Sequence, residues 1–134
     1  MSMLSIASVN LRDCDRANEL YTISLPGKSH FTIVGYGVMS FGSRARELGN
    51  LASLMGRFEE AQEHFELAIA QNRKTGAAPW VARSQYDYAM MLARQRDPAK
   101  KSPIRKLVAE AQQAANLLGM VRLKFQVADL IKEL

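Results

Sequence analysis

Along Arg57–Asn72 (RFEEAQEHFELAIAQN) the apolar residues fall at Phe58, Ala61, Phe65, Ala68 and Ile69. Steps of three and four place them on one stripe of a helix. Glu59, Glu60, Glu63 and Glu66 take the other faces, and acids suit the N-terminal half of a helix. Upstream, Ser43–Met55 (SRARELGNLASLM) carries Ala45, Leu48, Leu51, Ala52 and Met55 at the same spacing. Only Gly56-Arg57 separates the two stripes. Two amphipathic helices joined so tightly predict an antiparallel pair.

The pattern recurs downstream. Pro79 suits a first helical turn, and PWVARSQYDYAMMLARQRD carries Trp80, Val81, Ser84, Tyr88, Met91 and Leu92 in helical register. DPAKKSP breaks it. Pro103–Leu118 follows, with Ile104, Leu107, Val108, Ala111, Ala115 and Leu118 on one face and Gly119 placed to cap its end. Met120–Leu134 predicts a last helix through Leu123, Val127, Leu130, Ile131 and Leu134. An earlier, partial copy reads Leu4–Leu11, then Asp13 or Asp15 as a cap for a helix carrying Ala17, Leu20 and Tyr21. Ala17/Tyr21, Ala61/Phe65 and Ile104/Val108 hold equivalent places in the second helices, at offsets of 44 and 43 residues. A near-constant offset identifies a helical repeat. A lone pair cannot bury its stripe, and stacking pairs side by side builds a continuous core.

Within the middle repeat the motif positions resemble the tetratricopeptide repeat. Leu48-Gly49 sits at that family's Leu-Gly, Gly56 at its inter-helix turn, and Ala61, Phe65 and Ala68 at its second-helix positions. Small residues there let helices approach closely, and the aromatic wedges between repeats. Two departures stand out. The offset exceeds the usual period of about 34, which predicts long inter-repeat loops. Ala45 and Ala52 replace the Trp and Tyr of the first helix. The segment from about Asp13 to Met120 is also similar to the last repeats of large bacterial regulators, in which an ATPase domain precedes helical repeats and some members carry a cyclase or a DNA-binding domain. GRFEEAQEHFELAIAQNRKTGAAPWVARSQYDYAMML and ANLLGM carry that likeness. These 134 residues contain none of the ATPase, cyclase or DNA-binding parts, so none of their activities carries over.

The expected architecture is therefore all-α: antiparallel helix pairs stacked as a short tetratricopeptide-like α-solenoid of about six to seven helices. One domain spans 1–134, with repeats near 1–25, 39–73 and 79–118 and a C-terminal helix at 120–134. Length and an apolar share of 48% suffice for one packed core. No apolar run reaches the ~20 residues of a membrane span, and the N-terminus lacks the basic region of a signal peptide. One cysteine allows no internal disulfide. A cytoplasmic location is the expectation.

Candidate chemistry is sparse. Gly27-Lys28-Ser29 resembles the tail of a phosphate loop, but the first glycine of that motif would fall at Thr22, and no helix is expected to follow. Gly35, Gly37 and Gly42 fail as a dinucleotide loop because the third glycine would fall at Ser40. The β-like run His30–Val34 stands alone. His30 and His64 lack partners for catalysis or metal binding, and Cys14 reads as a small apolar residue. Glu59, Glu60, Glu63 and Glu66 read as a solvated face. No cofactor or metal is expected. The net charge of +5 permits an acidic partner without demanding one. Its densest basic group, Lys100, Lys101, Arg105 and Lys106, reads as a solvated helix start, not a nucleic-acid patch.

In stacked pairs the first helices line a concave groove. Mapping repeat positions onto this chain sends Arg46, Asn50, Arg83, Tyr86, Met90 and Arg94 toward it. Three arginines there would favour an acidic peptide or a terminal carboxylate; the alternative is a solvated face without a ligand. The expected role is a non-catalytic interaction or scaffold module of a bacterial signalling or transcription-regulatory system. Rival readings are a small-molecule-sensing domain and a basic nucleic-acid-binding protein. A homodimer through exposed ends, with Leu4, Ile6 and Val9 at one and Leu130 and Ile131 at the other, would cap the solenoid.

Overall fold

A computed structural model of the chain describes residues 2–34 and 39–134. Among these residues seven α-helices run in order: α1 Ser2–Leu11, α2 Cys14–Ser24, α3 Arg44–Leu54, α4 Phe58–Lys74, α5 Ala78–Arg94, α6 Lys101–Leu117 and α7 Val121–Glu133. A two-stranded hairpin, β1 Phe31–Val34 and β2 Met39–Ser43, lies between α2 and α3. Sequential helices pack on each other, and α3 also touches α1 and α5. The result is an all-α stack of helix pairs, α1/α2, α3/α4 and α5/α6, closed by α7.

Local chemistry sets the helix limits. Asp13 caps α2 by accepting from the Arg16 N–H at 3.1 Å, and Ser43 caps α3 by accepting from the Ala45 N–H at 3.2 Å. Five helices stop at a residue of positive φ: Arg12, Gly56, Gly76, Arg96 and Gly119. At Gly56 the stop is a full Schellman turn, with Arg57 N–H on the Ala52 carbonyl and Gly56 N–H on that of Ser53. Gly76 repeats it with Ala77 and Asn72. Arg12 and Arg96 hold the same left-handed conformation with a side chain attached, which costs an L-residue about 1–2 kcal/mol.

The core is the set of inward stripes. Ala17/Tyr21, Ala61/Phe65 and Ile104/Val108, equivalent by sequence offset, are all buried. Phe65 is fully enclosed. A β-carbon on Gly49 would lie 2.9 Å from its ring, so only glycine lets α3 approach α4 this closely. The Phe65 ring stacks on Tyr88 of α5, centroids 5.7 Å apart, and so joins one pair to the next. A buried polar staple works beside it. Asn72 of α4, with no exposed surface, accepts from the Ser43 N–H at 3.1 Å and bonds to Ser84 of α5.

Several expectations need correction. The run His30–Val34 does not stand alone: β1 pairs antiparallel with β2, Ile33 opposite Ser40 and Val34 opposite Met39. The helix expected over Ser43–Met55 runs Arg44–Leu54 with Ser43 as its cap, and 39–43 before it is strand. Long inter-repeat loops hold only before α3. Between α4 and α5 the link is Thr75–Ala77 alone, and α3 and α5 start 34 residues apart. The larger offset of the next second helix arises inside the pair, from a longer α5 and the Pro98–Lys100 turn. Of the faces expected to be open for self-association, Leu4, Ile6 and Ile131 are exposed, but Val9 is half-buried against the core. Leu130 is buried, because it shares the inward stripe of α7 with Leu123 and Val127. Cys14 is exposed, not packed. Gly35 and Gly37 lie outside the described residues. Among the described residues no helix is long and apolar enough to cross a membrane.

The first pair is tied to the second through a small polar cluster. The Tyr21 hydroxyl donates to Glu60 at 2.7 Å and lies 2.8 Å from the buried His64 Nε2. Glu60 therefore does more than face solvent, and Glu66 likewise accepts from the Tyr88 hydroxyl. Burial, then the bond to Glu60, pushes the Tyr21 phenol up to about 12. Burial first, and Lys28 second, lower the His64 pKa against the opposing pull of Glu60 and Glu63.

Arg96→Gly should raise stability by about 0.5–1 kcal/mol in urea denaturation, because glycine adopts the left-handed stop without strain. Because His64 resists protonation when folded, the unfolded chain takes up the proton first as pH falls below about 6.5. Stability is then complete above that pH and declines below it, by up to about 1 kcal/mol per pH unit. His64→Gln should flatten the melting temperature between pH 7 and about 5.5; an unchanged slope would contradict this origin.

Candidate functional site

The first helices of successive pairs, α1, α3 and α5, together with α7, face a common groove. It encloses about 540 Å³. All six residues mapped from the repeat pattern, Arg46, Asn50, Arg83, Tyr86, Met90 and Arg94, line it. Their periodic placement follows from helix geometry: Arg46 and Asn50 are one turn apart on α3, and Arg83, Tyr86 and Met90 recur on one face of α5.

The lining is electrically uneven. Arg46 donates through Nε to Asp87 Oδ2 at 2.7 Å, and both side chains are mostly buried, 17% and 15% exposed. The Asn50 amide donates to the same oxygen at 3.1 Å. Arg46 also lies over the Trp80 ring, 5.7 Å from its centroid, within cation–π range. Of the three arginines expected to serve a ligand, this one is therefore already neutralised. Arg83 differs. It is half-buried, and its hydrogen bond goes to the neutral carbonyl oxygen of Gln126 at 3.2 Å. Among the described residues it makes no ion pair. Burial, then the neighbouring Arg46, lowers its pKa, Arg122 adds to the effect and Asp87 opposes it. Tyr86 beside it is pushed up, by burial first and by Asp87 second. Arg94 and Arg122 are exposed at the groove.

Asp87, Arg122, Gln126 and Trp80 are lining residues that the repeat mapping did not assign to the site. Arg122 was accessible: it follows Arg83 by 39 residues, as Arg83 follows Arg46 by 37. Asp87 was not, since its contact with Arg46 spans 41 residues across two helices. Trp80 is held from behind by the hairpin. Gly42 is buried at φ +77, and a β-carbon on it would fall 2.6 Å from the Trp80 ring.

The motifs singled out elsewhere in the sequence form no phosphate or metal site among the described residues. Gly27-Lys28-Ser29 sits at the end of a 3₁₀ turn before a strand, so no helix N-terminus stands behind it. Among the described residues no three His, Cys, Asp or Glu side chains converge as a metal site. Lys101, Arg105 and Lys106 are exposed on the first turns of α6, outside the groove.

Trp80 is the only tryptophan, so its emission reports on this groove alone. Gly42→Ala should displace the ring toward solvent and shift its emission to longer wavelength while helical circular dichroism is retained. An unshifted spectrum would show that the hairpin does not position Trp80.

No curated protein and no solved structure gives a significant match to the chain. Residues 43–100, from the cap of α3 to the turn before α6, match the family described as tetratricopeptide repeat. Residues 43–100 carry tetratricopeptide-like helical repeats.

Proposed function

We propose that the chain is a non-catalytic interaction module whose groove binds an acidic peptide segment of a partner protein. Repeats of this family generally mediate protein–protein interaction. The observation that carries the finer reading is Arg83, a half-buried guanidinium in the groove with Arg122 near it, Arg94 three turns farther along α5, and no ion pair of its own among the described residues. A guanidinium offers a planar fork of donors that fits a carboxylate. Ile6, Val9 and Met90 give the same groove an apolar part, suited to side chains flanking the acid. Assignment to a bacterial signalling or transcription-regulatory assembly rests on the likeness of the segment near 13–120 to the repeats of ATPase-containing regulators.

Fluorescence polarisation with labelled acidic and neutral peptides tests the groove. Arg83→Glu combined with Arg122→Glu should weaken acidic-peptide binding at least about tenfold, equivalent to about 1.4 kcal/mol, and leave neutral peptides unchanged. Rising salt should weaken the wild-type complex. Acidic-peptide binding that survives the double substitution would place the interaction elsewhere.

A further inference from the structure

The groove holds two sets of anion donors in different states. On the α3 side, Arg46 Nε and Asn50 Nδ2 converge on a single point, at 2.7 and 3.1 Å, and that point is occupied by Asp87 Oδ2. On the α5/α7 side, Arg83 and Arg122 lie close enough to repel, yet no carboxylate is paired with either among the described residues. Two donors converging on one oxygen form the geometry that receives a carboxylate. The chain supplies that carboxylate from its own α5.

We infer that Asp87 acts as the groove's internal ligand: it fills the anion site formed by Arg46 and Asn50 and restricts partners to those presenting one carboxylate, received by Arg83 with Arg122. The inference rests on the peptide reading above and specifies its ligand. A second acidic residue directed at the α3 side meets Asp87, and two like charges in a partly buried site repel strongly. This is selection by exclusion, in which a built-in repulsive group rejects the wrong partner. Arg46 is held on a second side by the Trp80 ring. That ring contact does not depend on Asp87.

The test uses the full chain and two capped peptides, one with a single glutamate and one with two adjacent glutamates. Wild type should bind the one-glutamate peptide at least about tenfold more tightly than the two-glutamate peptide. Asp87→Ala should tighten the two-glutamate peptide at least about tenfold, and by severalfold more than the one-glutamate peptide, which gains only from the weaker pull of Asp87 on Arg83. Adding Arg46→Gln to Asp87→Ala should abolish the gain, and Arg83→Gln should weaken both peptides. Removing one partner of a mostly buried ion pair strains folding. Should Asp87→Ala fail to fold by circular dichroism, Asp87→Asn, which keeps the volume and removes the charge, carries the same comparison. If Asp87 variants leave the preference unchanged, or tighten both peptides equally, while Arg83→Gln still weakens binding, the inference fails and the peptide groove stands. If neither peptide binds wild type, the peptide reading falls and the inference with it.

Discussion

The closure of α3 onto α4 at Gly49 and Phe65 is the contact on which the rest of the stack depends. The ring occupies the space a β-carbon at residue 49 would need. Buried helices that meet at such a point have a defined separation, since interiors are too densely packed to slide freely. The same ring stacks on Tyr88, so the spacing within one pair is passed to the next. Asn72 adds direction to that spacing. Its side chain joins the cap of α3 to Ser84 of α5, and a buried amide tolerates little deviation from its partners. Apolar contact sets the distance between repeats, and the polar staple sets their registration.

The groove is a consequence of this stacking. Once α3 and α5 are held side by side, residues on their outer faces become neighbours although they lie about forty positions apart in the chain. Arg46 meets Asp87 for that reason alone. The pairing also changes the chemistry of the surface. A count of arginines suggests a uniformly basic concave face, whereas the structure has one neutralised position and a separate guanidinium that makes no ion pair among the described residues. In a half-buried site the second state is the more consequential, because a charge withdrawn from water gains most from a partner of opposite sign.

The hairpin shows how local and tertiary information differ. Gly35, Gly37 and Gly42 fail as a dinucleotide loop on spacing alone, because Ser40 stands where the third glycine would be. Gly42 is needed for two physical reasons that the spacing does not reveal: it adopts a left-handed conformation, and it lies against Trp80. The β-like run His30–Val34 had no visible partner because Met39–Ser43, with its serines and glycine, lacks the β-branched composition of a strand. Pairing, not propensity, makes it one.

The sequence by itself determined the helices, their pairing and their repeat. These depend on three- and four-residue periodicity, caps such as Ser43, and stops such as Gly56, all of which act over one or two turns. It also placed six residues of α3 and α5 on the groove, since their facing follows from position within a repeat. The tertiary structure alone decided where each repeat gained its extra length, that Leu130 points inward, and that Asp87 and not a ligand holds Arg46. These outcomes depend on distances between helices that are remote in sequence, and a pattern of local period carries no information about what lies across the interface.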